Sequence, residues 1–237
     1  MSKIIVTGGA GFIGSNLIKS LVDLQHEIYV LDNFSGGTRD SLDQVLQKIK
    51  IIECDISQYD EVMEKFKDFG NIDFIYHLAA LPRIGRSIEF PVETHQANVT
   101  GTLVALELAK KLKAKKFLYA SSSSVYGEQE KLPLSEDFIP NPQNPYAVQK
   151  LIGELYCKNW AQVFDLNCIA FRFFNVYGPG MKTEGAYKLV FSVWLEQIQK
   201  GEPLTIFGDG EQTRDFTHVL DIISGLIAGM ELKESNN

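Results

Sequence analysis

The chain has 237 residues, 45% of them hydrophobic and 22% charged, a composition typical of one or two packed globular domains. Its formal net charge of -7 creates no positive field that would attract nucleic acid or an anionic membrane, so neither is expected as a partner. Residues 1–3 lead directly into a strand, and no apolar stretch approaches the ~20 residues of a membrane span. We therefore expect a cytoplasmic protein. Cys54, Cys157 and Cys168 have neither C-x-x-C spacing nor a histidine cluster beside them, so we expect reduced thiols and no metal site.

Apolar segments alternate along the chain with segments of helical periodicity. Strands are predicted at Lys3–Thr7, Glu27–Leu31, Lys50–Glu53, Asp73–His77, Lys116–Ala120 and Asn167–Phe173. Helices are predicted at Phe12–Leu24, Gln58–Lys67, Ala97–Lys113 and Tyr146–Phe164. Since most of the strands are continuously apolar, both faces of the sheet should be covered. The pattern therefore predicts an α/β fold with a doubly wound parallel sheet, the Rossmann type.

The regular alternation of strand and helix patterns ends after Phe174. A loop is predicted at Asn175–Gly180, a helix at Tyr187–Lys200 and a turn-rich stretch up to Arg214. We therefore predict a Rossmann domain at residues 1–174 and part of a small substrate-binding domain at residues 175–213. Residues 214–232 are expected to pack back on the first domain.

A glycine turn joins the first predicted strand to the first predicted helix. Gly8, Gly11 and Gly14 form G-x-x-G-x-x-G in this position. Glycines allow a tight turn and let the amide groups at a helix N-terminus approach a pyrophosphate. The alternatives are a plain strand-to-helix turn or a P-loop, and no Lys-Ser/Thr pair follows to support the latter. The context favours a dinucleotide site.

An acidic residue, Asp32, follows the second predicted strand, eighteen positions after Gly14. A carboxylate there can accept hydrogen bonds from the adenosine ribose hydroxyls and would repel a 2′-phosphate. NAD is therefore favoured over NADP, although the nearby Arg39 leaves NADP open.

A tyrosine and a lysine at helical spacing form the candidate catalytic pair. Tyr146 and Lys150 lie on one face of the helix that follows Asn144-Pro145. A tyrosine that accepts a proton at neutral pH needs a nearby cation to lower its pKa from about 10. Taken alone, the pair could be two surface residues that have this spacing by coincidence. However, the serines at 121–124 follow a predicted strand and would reach the same crevice, unless they merely cap a helix.

These motifs together resemble those of the extended short-chain dehydrogenase/reductases, in particular the NAD-dependent epimerases and dehydratases. The matching segments are TGGAGFIGS at 7–15, DNFSGG at 32–37, CDI at 54–56, HLAA at 77–80, NVTGT at 98–102, SSSSVYG at 121–127, Tyr146-x-x-x-Lys150, RFFNVYGPG at 172–180 and RDFTHVLD at 214–221. Within the family the chain is most similar to UDP-glucose and UDP-N-acetylhexosamine 4-epimerases.

The resemblance implies a role for each matching residue. The catalytic set would be Ser122, Tyr146 and Lys150. The NAD site would comprise Gly8, Gly11, Phe12, Ile13, Gly14, Asp32, Asn33, Asp55, Ile56, Leu78, Ala79, Ala80, Asn98, Ala120, Tyr146, Lys150 and Phe173. The UDP-sugar would contact Ser122, Asn175, Phe207 and Arg214.

Two positions bear on the type of reaction. The related dehydratases carry an Asp-Glu pair, and the decarboxylases an acid, where this chain has Ser123-Ser124. The absence of these carboxylates favours epimerisation at C4 through a 4-keto intermediate, with NAD remaining bound. A glucuronate epimerase, a decarboxylase, a 4-reductase and a weakly catalytic NAD-binding scaffold remain alternatives. Pro82 replaces a lysine that many galactose epimerases use at the cofactor phosphates, and Arg83 or Arg86 could supply that charge.

The resemblance also implies two features of the whole molecule. Relatives extend well beyond the position of Asn237, so we expect an incomplete sugar pocket. The helices at Ala97–Lys113 and Tyr146–Phe164 correspond to the pair that forms a dimer interface in relatives, so a homodimer is expected.

Overall fold

A parallel sheet of six strands forms the centre of the molecule. The computed structural model describes residues 1–181, 190–206 and 208–232. The strands are β1 (Lys3–Thr7), β2 (Glu27–Asp32), β3 (Ile49–Glu53), β4 (Phe74–His77), β5 (Lys116–Ser122) and β6 (Asn167–Phe173). They pair in the order β3-β2-β1-β4-β5-β6, with every pairing parallel. The predicted doubly wound sheet is confirmed.

Helices connect the strands. They are α1 (Phe12–Asp23), α2 (Tyr59–Lys65), α3 (Ile84–Glu89), α4 (Pro91–His95), α5 (Gly101–Lys111), α6 (Pro145–Phe164), α7 (Val190–Lys200) and α8 (Val219–Glu231). The helix predicted at Ala97–Lys113 in fact opens with a π turn at Gln96–Thr100 before α5. Short 3₁₀ segments occur at Arg39–Lys48 and Ser123–Tyr126. The predicted start of α7 at Tyr187 lies outside the described residues.

Two hydrophobic cores lie on opposite faces of the sheet. On one face, Ile5, Ile75 and Phe117 of the strands pack with residues of α2, α5 and α6. On the other, Ile4, Val6 and Leu118 pack with α1, the Arg39–Lys48 segment and α8. Because side chains alternate between the faces and both faces are buried, the strands read as continuous apolar runs.

A second, two-stranded sheet corrects one prediction. Residues 175–177 were predicted to be a loop, but Asn175–Tyr177 is a strand, β7, which pairs in parallel with β8 (Phe216–His218). The loop prediction failed because the partner strand lies some forty residues further along the chain. No local sequence pattern predicts a pairing between strands so far apart in the chain.

The last described helix, α8, packs against the main sheet. Val219, Ile223 and Leu226 are buried in the same core as α1, and the hydroxyl of Tyr76 on β4 donates to the Leu226 carbonyl at 3.2 Å. The buried ammonium of Lys116, at the start of β5, donates to the carbonyls of Gly229, Met230 and Leu232 at the end of the helix. A cation at a helix C-terminus satisfies carbonyls that have no partner within the helix.

We therefore expect Lys116→Met to destabilise the protein by about 2–3 kcal/mol, because it leaves these buried carbonyls without a charged donor. Urea unfolding followed by circular dichroism would measure the loss. A free energy of unfolding equal to that of the unchanged protein would contradict the capping role.

Of the helices in the described part of the chain, none is both long and apolar enough to cross a membrane.

Candidate functional site

The candidate site lies at the carboxyl edge of the main sheet. The strand order reverses between β1 and β4, which lie side by side although they are not consecutive in the chain. In open α/β sheets, ligands bind in the crevice outside the carboxyl ends of the strands at such a switch point. The loops after β1, β2, β3, β4, β5 and β6 carry most of the predicted site residues.

The glycine turn after β1 is too tightly packed for side chains. Gly8 has φ +68°, and a Cβ on it would lie 2.6 Å from the Ala79 nitrogen. A Cβ on Gly14 would lie 2.3 Å from the Gly8 carbonyl oxygen. Real Cβ atoms do not approach backbone atoms this closely. Both glycines are therefore required to bring the turn, α1 and the loop after β4 together.

The N-terminus of α1 faces this turn. Gly11 is the N-cap residue, so no side chain caps the helix. The first amide groups of a helix have no intrahelical acceptor, and here they belong to Phe12, Ile13 and Gly14. Together with the helix dipole they suit a pyrophosphate.

Asp32, at the end of β2, is buried with both carboxylate oxygens held by backbone amides. Oδ2 accepts from the Ala10 nitrogen and Oδ1 from the Phe34 nitrogen, each at 2.8 Å. Each oxygen retains a second lone pair with which it can accept a ribose hydroxyl. The carboxylate is thus oriented in advance of cofactor binding, at the position where the sequence predicted a ribose ligand.

The neighbouring residues, which are predicted to lie at the adenine end of NAD, are bonded to one another. Asn33 Nδ2 donates to Asp55 Oδ2 at 3.1 Å, and Asp55 Oδ1 accepts from the amide and hydroxyl of Ser57. Arg39, which left NADP open at the sequence level, forms an ion pair with Glu53 and stacks on the Phe34 ring at 4.4 Å. Its charge is therefore already partnered, which weakens the case for a 2′-phosphate.

The loop after β4 contains Leu78, Ala79 and Ala80 and is anchored by a buried histidine. His77 Nδ1 lies 2.7 Å from the Thr7 hydroxyl, and Nε2 lies 3.0 Å from the Thr102 hydroxyl. Burial lowers the pKa of His77 to about 3, so the ring is neutral. Because Thr102 itself donates to the Asn98 carbonyl, its oxygen accepts from Nε2–H, and Nδ1 accepts from Thr7. The histidine thus ties the end of β4 to β1 and α5.

Asn98 fastens the same loop from the π turn. Its Oδ1 accepts from the Leu81 nitrogen at 2.7 Å, and its Nδ2 donates to the Leu81 carbonyl and to Gln149 Oε1. The side chain thus connects the loop after β4 with α6. A direct contact between Asn98 and nicotinamide remains a prediction.

The three predicted catalytic residues come together where β5 meets α6. Ser122 ends β5, whereas Tyr146 and Lys150 lie in the first turns of α6, which begins at the capping residue Asn144. The Ser122 hydroxyl accepts from the amide and the hydroxyl of Ser124, at 3.2 and 2.9 Å. Its own proton is therefore free for another acceptor, and the hydroxyl lies near enough to Tyr146 to lower the pKa of the phenol.

Lys150 is the buried cation of the set. Only 3% of its surface is exposed, and Nζ donates to the Ala120 carbonyl at 2.7 Å. Burial lowers its pKa to about 8, so the ammonium persists at neutral pH. Two of its three protons remain available for a ligand.

The ionisation of Tyr146 depends on its burial and on two neighbours. Burial raises the pKa of its phenol, whereas the Ser122 hydroxyl and the charge of Arg83 oppose this shift. The role of Lys150 as the cation that lowers this pKa remains a prediction. The Lys150 ammonium lies 6.0 Å from the Tyr146 ring centroid.

Arg83 and Arg86, the possible substitutes for the lysine that Pro82 replaces, differ in their partners. Arg86 forms an ion pair with Glu93 at 2.6 Å. Arg83 is partly buried, and among the described residues its guanidinium has no hydrogen-bond or ion-pair partner. Of the two, Arg83 has its charge available to the site.

The residues predicted to bind the sugar nucleotide differ in their surroundings. Asn175 donates from its backbone and side-chain nitrogens to the Asp215 carbonyl, which joins it to the segment that carries Arg214. Arg214 is exposed and bonded to the Thr213 carbonyl and to Gln212, and it forms no ion pair with an acid in the part of the chain that the structure describes. Phe173, at the end of β6, packs on Phe171. Phe207 lies outside the described residues.

The residues present fit a dinucleotide. The turn leaves no room for a Cβ, α1 has no side-chain cap, and Asp32 is aimed by two amides. No group of three metal-ligating side chains occurs within residues 1–181, 190–206 and 208–232.

Sequence reasoning missed an ion pair behind the catalytic set. Glu154 of α6 and Arg172 of β6 form two hydrogen bonds, at 3.0 and 2.8 Å. One feature of the sequence could have indicated Glu154, because it continues the four-residue spacing of Tyr146 and Lys150. It belongs to no motif with a known chemical role, so it was not singled out.

The fold and the site together define a dinucleotide-binding protein in which a serine, a tyrosine and a lysine lie together where β5 meets α6. The model of the NAD dependent epimerase/dehydratase family matches residues 4–237. The chain belongs to this family, and its cofactor is NAD.

Individual relatives agree with this assignment. A putative UDP-glucose 4-epimerase of Methanocaldococcus jannaschii is 33% identical over 97% of this chain and 74% of the relative. The structure of a UDP-N-acetylglucosamine 4-epimerase from Methanobrevibacter ruminantium M1, in complex with UDP-N-acetylmuramic acid, has a TM-score of 0.93 and 34% identity, covering 99% of this chain and 74% of that one. The UDP-glucuronic acid 4-epimerase from Bacillus cereus, in complex with UDP-glucuronic acid and NAD, has a TM-score of 0.85 and 36% identity, covering 98% and 74%.

Proposed function

We propose that the protein interconverts UDP-hexoses that differ in configuration at C4. The observation that carries the proposal is the convergence, where β5 meets α6, of the Ser122 hydroxyl, the Tyr146 phenol and the Lys150 ammonium, which is buried and donates to the Ala120 carbonyl at 2.7 Å. The three related proteins described above are named as 4-epimerases acting on UDP-sugars, which supports the same reaction here.

The chain's own residues account for the proton transfers. Bound NAD supplies an acceptor, and later a donor, of hydride. Tyr146 takes the proton of the sugar 4-hydroxyl and afterwards returns it. Ser122 donates a hydrogen bond to the reacting oxygen, and Lys150 would hold the nicotinamide ribose. Turning of the 4-keto sugar between the two transfers exposes its other face, which inverts C4.

Ser123 and Ser124 favour this reaction over a dehydration or a decarboxylation. Both side chains are partly buried in the 3₁₀ segment after β5, and the Ser124 hydroxyl is used in orienting Ser122. A hydroxyl cannot serve as the additional acid or base that removal of water requires at neutral pH. On this proposal Tyr146 is the residue that transfers a proton, and it serves a single substrate oxygen, that of the sugar 4-hydroxyl.

Incubation of the purified protein with UDP-glucose, UDP-N-acetylglucosamine or UDP-glucuronate, without added NAD, tests the proposal. We expect one or more pairs of C4 epimers to interconvert, observed by chromatography or NMR. Stoichiometric accumulation of NADH would indicate a dehydrogenase. Retention of NAD without turnover of any UDP-sugar would support the scaffold alternative.

Arg83 should influence the pH dependence of this reaction. Its positive charge lowers the pKa of Tyr146, so Arg83→Gln should raise that pKa. Because the forward reaction needs the phenolate, the ascending limb of kcat/KM against pH should move to higher pH. Arg86→Gln is the matched control, since Arg86 is already paired with Glu93. An unchanged limb in Arg83→Gln would show that its charge does not reach the phenol.

The sugar nucleotide is proposed to lie over the second, two-stranded sheet. Asn175 and Arg214 are joined by the Asp215 carbonyl, and the forked guanidinium of Arg214 suits a diphosphate. The proposed role of Phe207 beside the uracil concerns a residue outside the described part. On this view residues 175–213 belong to the sugar-binding unit, and residues 1–174 with 214–232 form the NAD-binding unit.

A homodimer through α5 and α6 is also proposed. Val148, Leu155 and Val163 are exposed by 41%, 59% and 61% on α6, at the seven- and eight-residue spacing of one helix face. Light scattering should give twice the chain mass, and Leu155→Glu should yield a monomer. Val92→Glu, at an apolar residue of α4 that is 82% exposed, serves as the control. A monomer mass for the unchanged protein would refute the dimer.

The cytoplasm remains the proposed location. All three cysteines lie in the described part of the chain, and none forms a disulfide. Reduced thiols agree with such a compartment.

A further inference from the structure

Residues on one face of α6 contact the end of β5 over the two helical turns that follow Tyr146. Tyr146, Lys150 and Glu154 follow one another at four-residue spacing and share this face. Tyr146 meets Ser122, Lys150 donates to the Ala120 carbonyl, and Glu154 accepts from the Ser121 hydroxyl. Three consecutive residues at the end of β5 thus each have a partner on the same helix.

Glu154 also connects the helix to the next strand. Arg172 Nε donates to Glu154 Oε1 at 3.0 Å, and its second nitrogen donates to Oε2 at 2.8 Å. The guanidinium stacks on the Tyr126 ring, with 4.5 Å between Cζ and the ring centroid. The pair therefore joins α6, β5, β6 and the 3₁₀ segment that carries Ser123 and Ser124.

This pair is largely withdrawn from water. The Glu154 and Arg172 side chains are only 13% and 20% exposed. Removing two charges from water costs free energy that a buried ion pair often barely recovers, so general stability does not explain its presence. A geometric role does explain it, because a two-pronged Arg-carboxylate pair fixes orientation as well as distance.

The packing of α6 makes such a role necessary. A Cβ on Gly153 would lie 2.2 Å from the Tyr119 hydroxyl, so the glycine lets the helix lie almost directly on β5. Glycine has no side chain with which to resist sliding of the helix along the strand. Sliding would change the separation of Tyr146 from Ser122, and displacements of about 1 Å can reduce catalysis about 100-fold.

We propose that Glu154 and Arg172 are positioning residues, which hold α6 against the end of β5 so that the Tyr146 and Ser122 hydroxyls remain in register. Neither residue touches the reacting atoms. The effect on turnover rests on the proposed epimerase function, whereas the effect on α6 does not.

The test compares Glu154→Ala with Lys116→Met in the NAD-bound protein. Both variants remove a largely buried charge: Glu154 accepts from Ser121 at the end of β5, whereas Lys116 lies at the opposite end of the strand and contacts α8. Glu154→Gln, which retains an acceptor oxygen, is the conservative variant. Amide hydrogen exchange in the first turns of α6, kcat and KM are measured well below the unfolding temperature of each variant.

We expect faster exchange at the start of α6, a kcat about 10- to 100-fold lower and a nearly unchanged KM in Glu154→Ala. Glu154→Gln should recover part of both losses, and Lys116→Met should show neither. Unchanged exchange in Glu154→Ala, or an equal loss of kcat in Lys116→Met, would overturn the proposal. If the unchanged protein has no turnover, the function fails while the exchange data still decide the positioning of α6.

Discussion

Replacement of Tyr146 by phenylalanine should lower the rate of epimerisation about 1,000-fold or more while leaving NAD bound. The substitution removes the one hydroxyl that can take the proton of the sugar 4-hydroxyl, and general acid-base catalysis contributes about 10²–10⁴ in rate. It removes no group that the structure assigns to the turn, to Asp32 or to the adenine end. The ring remains, so the packing of α6 on β5 should persist.

Steady-state kinetics and the NAD content of the purified protein would measure the two effects separately. Tyr156→Phe is the matched control, because Tyr156 lies on the same helix and packs edge-on against Trp160, away from Ser122. Turnover within about tenfold of normal in Tyr146→Phe would show that another group transfers the proton. Loss of NAD would show instead that the hydroxyl serves mainly in binding.

Replacement of Gly14 by alanine should abolish retention of NAD, and with it turnover. In an ordinary helix this change would be favourable by about 1 kcal/mol. Here the new Cβ would lie 2.3 Å from the Gly8 carbonyl oxygen and 2.7 Å from Gly9 Cα. These are backbone atoms of the turn, so α1 must move away from it, and the amides at its N-terminus leave the position suited to a pyrophosphate.

The measurement is the amount of NAD released by acid from the gel-filtered protein, together with its thermal unfolding midpoint. Gly225→Ala is the control, because a Cβ on this exposed glycine of α8 would meet no atom within 4 Å. That control should keep its NAD and be unchanged or slightly more stable. Normal NAD content in Gly14→Ala would contradict the tight turn seen between β1 and α1.

Local patterns sufficed for the main sheet because its central strands are buried on both faces. Lys3–Thr7, an apolar run bounded by polar residues, was predicted with the bounds that the structure shows. The bounds of Asn167–Phe173 were also predicted, although this edge strand is mostly half-buried. The same reasoning missed β7 and β8, two short strands far apart in sequence. Their existence depends on mutual pairing, which no periodicity within Asn175–Tyr177 reveals.

The site divides in the same way. Gly8, Asp32, Tyr146 and Lys150 were recognisable because cofactor binding and proton transfer require particular residue types at particular spacings. Arg83 was named only as a possible phosphate ligand, and Glu154 and Arg172 were not singled out. Their roles arise from where α3, α6 and β6 bring them, and the surrounding burial decides which charge acts on Tyr146.

The sequence alone determined the parallel sheet and the NAD cofactor, and it singled out Ser122, Tyr146 and Lys150 as the proposed catalytic set, because these follow from short segments whose chemistry is local. Only the tertiary structure decided that Arg83 comes near enough to Tyr146 for its charge to lower the phenol pKa, that Arg39 is paired with Glu53, and that Glu154 and Arg172 join α6 to two strands. These are interactions between residues distant in the chain, and their strength depends on separation and exposure, which spacing along a sequence does not specify.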